Sequence, residues 1–563
     1  MSEQHTAFPL NRALAELPSD SSSSVAVDVP NSIDAATDNP VQAAKAADPA
    51  NSSLAAKLLD AAKWLVSFPA MLAMILLGRI YWDGRGFLVD PDLWWHIKNG
   101  QSILATHHWP TVDPYSFTVA GAPWLSYEWL GDVAIGMVGK LGLQALDAFL
   151  IGLGALIVIA VYYYASLRSG NSKAGFVSAF VLCLFAIGNF NLRPQMFGYL
   201  FLVITLIALE KFRQGHPRFL YVLPPLFLVW INTHGSWIIG LGVIVLTLVG
   251  GLFSFRVGSI EVVRWTDRQR LQLELALLGS LAAIPFTPYG TELAAYPFMV
   301  ASSLPLNVAN VLEWMPMPFH IGGGKMFLAL LIITVVLQMM YHFTFRLQEL
   351  LLAIGGMAMA VLHVRFVLLF VPFFAPIFAV MLARWIPAYS RNKDKFVLNA
   401  VIMTAAAAAM IWYFPSRSNL EKKVERSFPV RAVNYIRSHP VPGPMFNTYG
   451  SGGYLIAYLP EHKVFIDGRG DLYELGGAFS DYLQVTQLKP AAFSVIRSYG
   501  IQTFLLDRGE PLAVVLGAHP DWKRIYSDDT SVILVRKDPF DTNRAVPRAN
   551  VAPERSEHES SAE

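Results

Sequence analysis

The stretch DPDLWWHIKNG, residues 90–100, places Asp90 and Asp92 on either side of a proline, then Trp94, Trp95 and His96. Carboxylates and imidazoles are the groups that move protons near neutral pH. Both acids come directly after the first long apolar run, where a membrane boundary is expected. Two readings stand for the pair. Asp92 before Leu93 caps a helix, contributing about 1 kcal/mol, and Asp90 before Pro91 starts a turn. The same carboxylates at a membrane face can also act as bases, and capping does not exclude this.

Other ionisable side chains recur between later apolar runs. Glu128 lies in WLSYEWLGD, Arg193 in NFNLRPQMFGY, His234 in INTHGSW, Glu313 in the long loop 287–325, and Arg365 in HVRFV. Charges at membrane depth are costly, so they line a cavity or pair with one another. Arg193, His234 and Arg365 sit in loops too short to leave the membrane surface, which points them toward one outward-facing cavity. A guanidinium there wants an anion, and phosphate suits its planar fork. The competing reading is an internal salt bridge with Asp90, Asp92 or Glu313. Trp94 and Trp95 read first as interfacial anchors, with Trp95 and His96 also candidates for substrate contact. Glu128 reads equally as an interfacial acid. His107 and His108 are a weak metal pair, because adjacent side chains on a helix diverge. Asp113, in DPYSFT, reads as a turn cap.

These residues need a scaffold that holds them at one face of a membrane. Of 563 residues, 54% are hydrophobic and 15% charged, against about 25% charged in soluble domains. A net charge of +2 gives no case for nucleic-acid binding. The single cysteine, Cys183, excludes an internal disulfide. About eleven apolar runs meet the spanning criterion of roughly 20 residues, several of them short. They fall near 62–80, 145–166, 174–189, 196–210, 219–231, 236–254, 271–286, 326–341, 347–362, 366–383 and 396–414. A further run, 127–140, carries Glu128, Asp132 and Lys140 and reads as interfacial. Basic residues concentrate in alternate loops, such as Lys211, Arg213 and Arg218, or Arg256, Arg264, Arg268 and Arg270. That alternation places the N-terminus in the cytoplasm and the chain after 415 outside.

The expected fold is thus an α-helical polytopic membrane protein with a C-terminal extracytoplasmic α/β domain. Residues 1–55 read as a disordered cytoplasmic tail, 56–415 as the transmembrane domain with a large first outer loop at 81–144, 416–537 as the α/β domain, and 538–563 as a second disordered tail. Within the α/β part, KVFID and IQTFLLD read as buried strands, and WKRIYSDDTSVILVRK as a hairpin around Asp528-Asp529. HExxH, the Walker loop and GxSxG are absent, and GSGG at 450–453 lacks the rest of a nucleotide fingerprint.

An acidic first outer loop, about eleven helices, short outer loops with single charges and an outer α/β domain look like the GT-C glycosyltransferases. These include oligosaccharyltransferase catalytic subunits, protein O-mannosyltransferases and the aminoarabinose transferase of lipid A. The stretches DPDLWWHIKNGQSILATHHWPTVDPYSFT, LRPQMFGY and NTYGSGGYLIAYLPEHKVFIDGRGDLY are similar to a bacterial group of glycosyltransferase-like membrane proteins. The resemblance spans roughly residues 60–537. It implies a polyprenyl-phosphate sugar donor, a glycan, lipid or protein acceptor, and a first-loop catalytic carboxylate, Asp92 before Asp90. Arg193, Arg365 and His234 would hold the departing phosphate. Asp467, Arg469 and Asp471 in VFIDGRGDLY would line the acceptor cleft, or else form a salt-bridge cluster at a strand end. The sequence departs from oligosaccharyltransferases in two places. NFNLRPQ lacks the second acidic pair that binds metal there, so dependence on a divalent metal, Mg or Mn, stays open, with Glu313 a stand-in acid. NTYGSGGYL lacks the Trp-Trp-Asp of the sequon-reading segment.

The sequence therefore leads to a glycosyltransferase at the outer face of a bacterial inner membrane, embedded among membrane lipids. Two rivals remain: a non-catalytic GT-C-like protein that binds a polyprenyl lipid or assists polysaccharide assembly, and a transporter. The transporter reading lacks the internal repeat that such folds show.

Overall fold

The computed structural model describes residues 54–186 and 190–538. The expected tails fall outside these residues, save for Asp538 and for Leu54 and Ala55, which already belong to helix α1 (Leu54–Leu65). Of the described residues, Leu54–Leu59 fall in a separate unit from the compact body formed by 60–538. Next come α2 (Phe68–Gly84), α3 (Asp92–Thr106), α4 (Trp129–Gly139), α5 (Leu143–Ser169), α6 (Ser172–Ala186) and α7 (Gln195–Arg213). They are followed by α8 (Leu223–Ile231), α9 (Trp237–Val249), α10 (Asp267–Leu281), α11 (Glu292–Ser303), α12 (Pro305–Asn310), α13 (Gly322–Tyr341), α14 (Leu347–Leu362), α15 (Val367–Leu382) and α16 (Phe396–Trp412).

The described part of each expected apolar run is largely helical, but the bounds differ, and the run 62–80 is divided between α1 and α2. Among the described residues, Leu143–Ser169, Gln195–Arg213, Gly322–Tyr341 and Val364–Leu382 are long and apolar enough to cross a membrane. A fifth span results if Phe396–Trp412 is joined to Arg417–Ser427 across a 63° bend. The chain is an integral membrane protein. The remaining apolar helices are short: α9, with 13 residues, rises about 20 Å against roughly 30 Å of hydrocarbon. Helix α10 opens on charged residues behind a Thr266–Gln269 capping box. Helix α4, the run read as interfacial, has 11 residues.

The C-terminal part contains α17 (Arg417–Ser427), α18 (Val430–Ser438), α19 (Tyr449–Tyr458), α20 (Gly470–Leu475), α21 (Ala478–Thr486), α22 (Ala492–Ser498) and α23 (Pro511–Ala518). Three short strands, β1 (Phe255–Val257), β2 (Ile260–Val262) and β3 (Phe345–Arg346), make a small sheet beside the bundle. Strands β4 (Met445–Asn447), β5 (Thr503–Asp507), β6 (Trp522–Ser527) and β7 (Ser531–Arg536) pair in the order β4-β5-β7-β6, with only β4 and β5 parallel. IQTFLLD and the hairpin are strands as expected. KVFID is not a strand of this sheet. It is buried, but its backbone pairs with the first loop: Val464 N–H donates to Tyr115 O and Phe117 N–H to Val464 O, each 3.1 Å. Asn447 holds its other side, accepting from Phe465 N–H at 2.8 Å and donating to Ile466 O at 2.7 Å.

Two apolar cores result. One lies among the helices of the bundle. The other is shared by α3, the first loop and the C-terminal sheet, and includes Leu93, Trp94, Ile135, Leu455, Phe465 and Phe504. Trp94 is therefore no interfacial anchor. It is 1% exposed, edge-on to Phe428, Tyr454 and Tyr458. Trp95 is buried too.

Helix α3 packs against α4 through glycine. A Cβ on Gly100 would sit 1.9 Å from Asp132 O, and one on Gly136 2.9 Å from Gln101 N. Gly100→Ala must force the two helices apart and is expected to cost about 1–3 kcal/mol in detergent-solubilised thermal unfolding. Gly78→Ala in α2, where nothing lies within 4 Å, leaves the melting temperature unchanged or slightly raised.

Candidate functional site

One cavity of about 460 Å³ is lined by Asp90, Asp92, Trp95, His96, Glu128, Arg193, His234, Glu313 and Arg365. They come from distant segments of the chain, each next to a helix end. Asp90 and Asp92 lead into α3. The helix starts at Asp92, one residue earlier than expected, and Asp92 does not cap it. Asp90 Oδ1 accepts the Asp92 N–H at 2.8 Å and performs that role. The Asp92 carboxylate is thereby left to face the cavity, where its Oδ1 accepts only a 3.3 Å hydrogen bond from Trp95 Nε1. Gly468 passes directly over it: a Cβ there would lie 1.5 Å from Asp92 Oδ1.

Arg193, just before α7, is enclosed by acids. Nη1 donates to Asp92 Oδ2 at 2.8 Å and Nη2 to Glu313 Oε1. Nε lies 3.1 Å from Asp90 Oδ2, but its N–H is angled off that oxygen. The internal salt bridge is thus what Arg193 makes, with a carboxylate on each Nη. Burial lifts Asp90 to about 6 against the pull of Arg193. Burial alone would raise Glu313 as well, but Arg193 and Arg365 outweigh it and hold Glu313 below the usual carboxylate range.

Arg365 is differently placed. It sits in a helical turn before α15, with Cζ 4.3 Å from the centre of the Trp314 ring and Nη1 4.0 Å from Glu313 Oε2. Its side chain is 24% exposed against 13% for Arg193. It is the guanidinium with donors left to offer.

A second polar line runs from α3 into α4. Asp132, fully buried, receives Asn99 Nδ2 at 2.6 Å and lies 2.6 Å from His96 Nδ1. His96 Nε2 is 3.9 Å from Glu128, whose other oxygen is 3.3 Å from His234 Nε2. Burial pulls the His96 imidazole down, but Asp132 and Glu128 outweigh it and raise it overall. His234 is pushed down to about 3 by burial and by Arg365 and Arg193. Its Nδ1 accepts from Ser236 N–H at 3.1 Å, which assigns the proton to Nε2, facing Glu128. Burial pushes Glu128 up to about 8, so at neutral pH it carries a proton.

The other expected acceptor-side residues separate. Arg469 donates to Asp467 at 2.8 and 2.7 Å and to Asp113 at 2.7 Å, and Tyr473 Oη donates to Asp467 at 2.5 Å. This sealed, buried cluster joins the first loop to the C-terminal part, and Asp113 does more than cap a turn. Arg469 and Asp471 both line the cavity, and Asp471, outside the cluster, takes a hydrogen bond from Tyr296 Oη and is raised to about 6 by burial. His107 ends α3 in a left-handed conformation, away from the cavity.

Asp132, an interfacial acid by its sequence, is fully buried. Its spacing of four from Glu128 placed it one helical turn along the same face. Tyr296, Asn307 and Trp314 also line the cavity, and nothing in the loop 287–325 marked them beforehand.

A divalent metal was left open. Asp90, Asp92 and Glu313 each approach the Arg193 guanidinium, which stands among them. Among the described residues, no three His, Cys, Asp or Glu side chains are arranged to hold a metal ion. The residues do not fit one.

No family model and no curated protein sequence matches the chain. Among solved structures it is similar to the oligosaccharyltransferase AglB from Archaeoglobus fulgidus in complex with an inhibitory peptide and a dolichol-phosphate, at 10% identity and TM-score 0.48, covering 77% of this chain and 69% of that one. It is also similar to ArnT from Cupriavidus metallidurans bound to undecaprenyl phosphate, at 16% identity and TM-score 0.43, covering 84% and 97%. A third is the arabinofuranosyltransferase AftD from Mycobacteria, at 12% and 0.47, covering 83% of this chain and 40% of that one. All three belong to the GT-C class that the sequence resembles. At this level they are likenesses of build, and the chemistry must be argued from the cavity.

The protonation of Glu128 has a measurable consequence. In the folded protein it is pushed up to about 8, above the 4.5 of a free glutamate, so between those limits the native state holds a proton that the unfolded state releases. The contribution is complete below about 4.5 and lost as pH rises through 8, at no more than ~1.4 kcal/mol per pH unit. The expected outcome is a melting temperature that falls from pH 5 to 8, with a shallower fall in Glu128→Gln. Equal slopes in the two proteins would show that Glu128 is ionised throughout.

Proposed function

We propose that the chain is a membrane glycosyltransferase that moves a sugar from a polyprenyl-phosphate-linked donor to a hydroxyl-bearing glycan, lipid or protein acceptor at the outer face of the membrane. One observation carries this reading. A single cavity combines a proton-accepting carboxylate, a protonated carboxyl group and a partly free guanidinium, with apolar walls that include Ile238, Ile239, Met359 and Phe366. Those walls suit the first units of a lipid chain, and the polar end suits its phosphate.

The acceptor oxygen attacks the anomeric carbon as the bond from that carbon to the phosphate oxygen breaks, with inversion. The hydroxyl proton passes to Asp92, whose Oδ1 has lone pairs to spare. The electron pair leaves with the lipid phosphate. Arg365 holds that phosphate, with the Trp314 ring fixing the guanidinium plane. Glu128, protonated at neutral pH, donates a hydrogen bond to a phosphate oxygen, and neutral His234 orients it. Arg193 positions Asp92 rather than binding the ligand. Asp471 and Tyr296 face the acceptor.

The test is binding and turnover in parallel. A polyprenyl phosphate is expected to stabilise the wild type, by about 2.7 kcal/mol at a hundredfold excess over Kd. Arg365→Ala loses that stabilisation. Asp92→Asn keeps it, while transfer from a polyprenyl-phosphate sugar falls by about 10²–10⁴. No stabilisation of folded wild type would overturn the donor assignment, and full transfer by Asp92→Asn would remove Asp92 as the base.

A further inference from the structure

A second site lies outside this cavity, where α16 meets α17. Helix α16 ends in side chains turned outward: Ile411 is 78% exposed and Trp412 82%, with Tyr413 and, from α2, Trp82 beside them. Tryptophan and tyrosine at the end of an apolar helix mark the level of the lipid headgroups. There the chain bends by 63°, and α17 runs off along a new direction.

Helix α17 carries Asn419, Lys422, Lys423 and Arg426 at spacings of three, four and seven, which is one stripe of a helix. Its apolar face, Leu420 and Val424, is buried against the protein. Together with Arg85, Tyr413 and Pro415, the stripe lines a pocket of about 380 Å³.

The cations of this pocket are not matched by acids of the same helix. Glu421 pairs with Arg417 at 2.8 Å and Glu425 with Arg431 at 3.0 Å, both turned away from the stripe. Among the described residues, no carboxylate oxygen comes within salt-bridge reach of Arg85, Lys422, Lys423 or Arg426. Lys423 is a structural link: its Nζ donates to Arg85 O at 3.1 Å, close over Gly86, whose φ of 72° makes the turn. It also feels the buried Asp147, which accepts the Gly86 N–H at 2.5 Å. Arg85 is held by its ring contact, Cζ 3.7 Å from the Trp82 centre, and by Nη1 to Tyr413 O at 3.4 Å. Lys422, Arg426 and the remaining donors of Arg85 are left facing the pocket.

We propose that this pocket binds the phosphate of an anionic membrane phospholipid, with the acyl chains lying along Trp82, Ile411 and Trp412. The shared chemistry is a phosphate monoanion, and the aromatic rim directly below the cations selects the lipid-borne form over a free one. The site is independent of the donor cavity, which uses none of these residues.

The full-length protein in detergent is tested with phosphatidylglycerol, phosphatidylcholine and inorganic phosphate, reading bound lipid by native mass spectrometry and the melting temperature. Wild type is expected to retain phosphatidylglycerol in preference to phosphatidylcholine. The double variant Lys422→Ala, Arg426→Ala, with Lys423 left in place, is expected to weaken phosphatidylglycerol about tenfold or more. Because both side chains are exposed, its lipid-free melting temperature stays at the wild-type value. Arg417→Ala, on the same helix but outside the stripe, keeps wild-type binding. Equal retention of the two lipids, equal loss in Arg417→Ala, or unchanged binding in the double variant would overturn the proposal. Stabilisation by inorganic phosphate equal to that by phosphatidylglycerol would overturn the lipid as source.

Discussion

A single guanidinium holds the cavity together. Arg193, entering α7, gathers Asp90 from the loop before α3, Asp92 from its first turn and Glu313 from the turn before α13. Three acids around one base leave the cluster net negative and largely dry, which is tolerable only while the cation is present. Removing one partner of a buried pair costs about 3–5 kcal/mol. The same interaction decides chemistry. With carboxylates on both of its Nη atoms, Arg193 has its charge matched without a phosphate, and its guanidinium lies among the acids that a metal ion would need. In the proposed mechanism the ligand-binding role passes to Arg365, which rests on Trp314 and lies 4.0 Å from Glu313.

The C-terminal part closes the other side of the cavity, and close approach makes that possible. Gly468 lies on Asp92, and a Cβ on Gly453 would meet Pro91 O at 2.2 Å. Behind them, Arg469 locks Asp113 to Asp467 with no exposure to spare. Buried ion clusters are poor sources of stability but good devices for register. Here the register is that of the first loop against the C-terminal chain, which share one apolar core.

Much of the site was legible because membrane physics makes charges conspicuous. Asp90, Asp92, Glu128, Arg193, His234, Glu313 and Arg365 stood out as ionisable groups between apolar runs, and alternation of loop charge assigned them to one face. Pairing was not legible. Phosphate and carboxylate satisfy a guanidinium equally well on paper, and only the backbone path of residues 305–314 shows that Glu313 reaches Arg193. Trp94 misled for a related reason. Tryptophan next to a hydrophobic run signals an interface unless a later segment covers it, and the cover here is Phe428 and Tyr454, more than 300 residues on. KVFID carried the composition of a sheet strand, yet its partners are first-loop backbone and Asn447, which no local pattern encodes. The helices were legible as apolar runs, but not all their bounds were: the run 62–80 is divided between α1 and α2, the run 236–254 stops at Val249, and the run 271–286 stops at Leu281.

The central claim is a division of labour between two arginines, and a structure with polyprenyl phosphate bound tests it most directly. The account predicts the phosphate within hydrogen-bond reach of Arg365 and Glu128, with Arg193 still joined to Asp92 and Glu313. A phosphate seated on Arg193 with those carboxylates displaced, or one found outside the cavity, would contradict it.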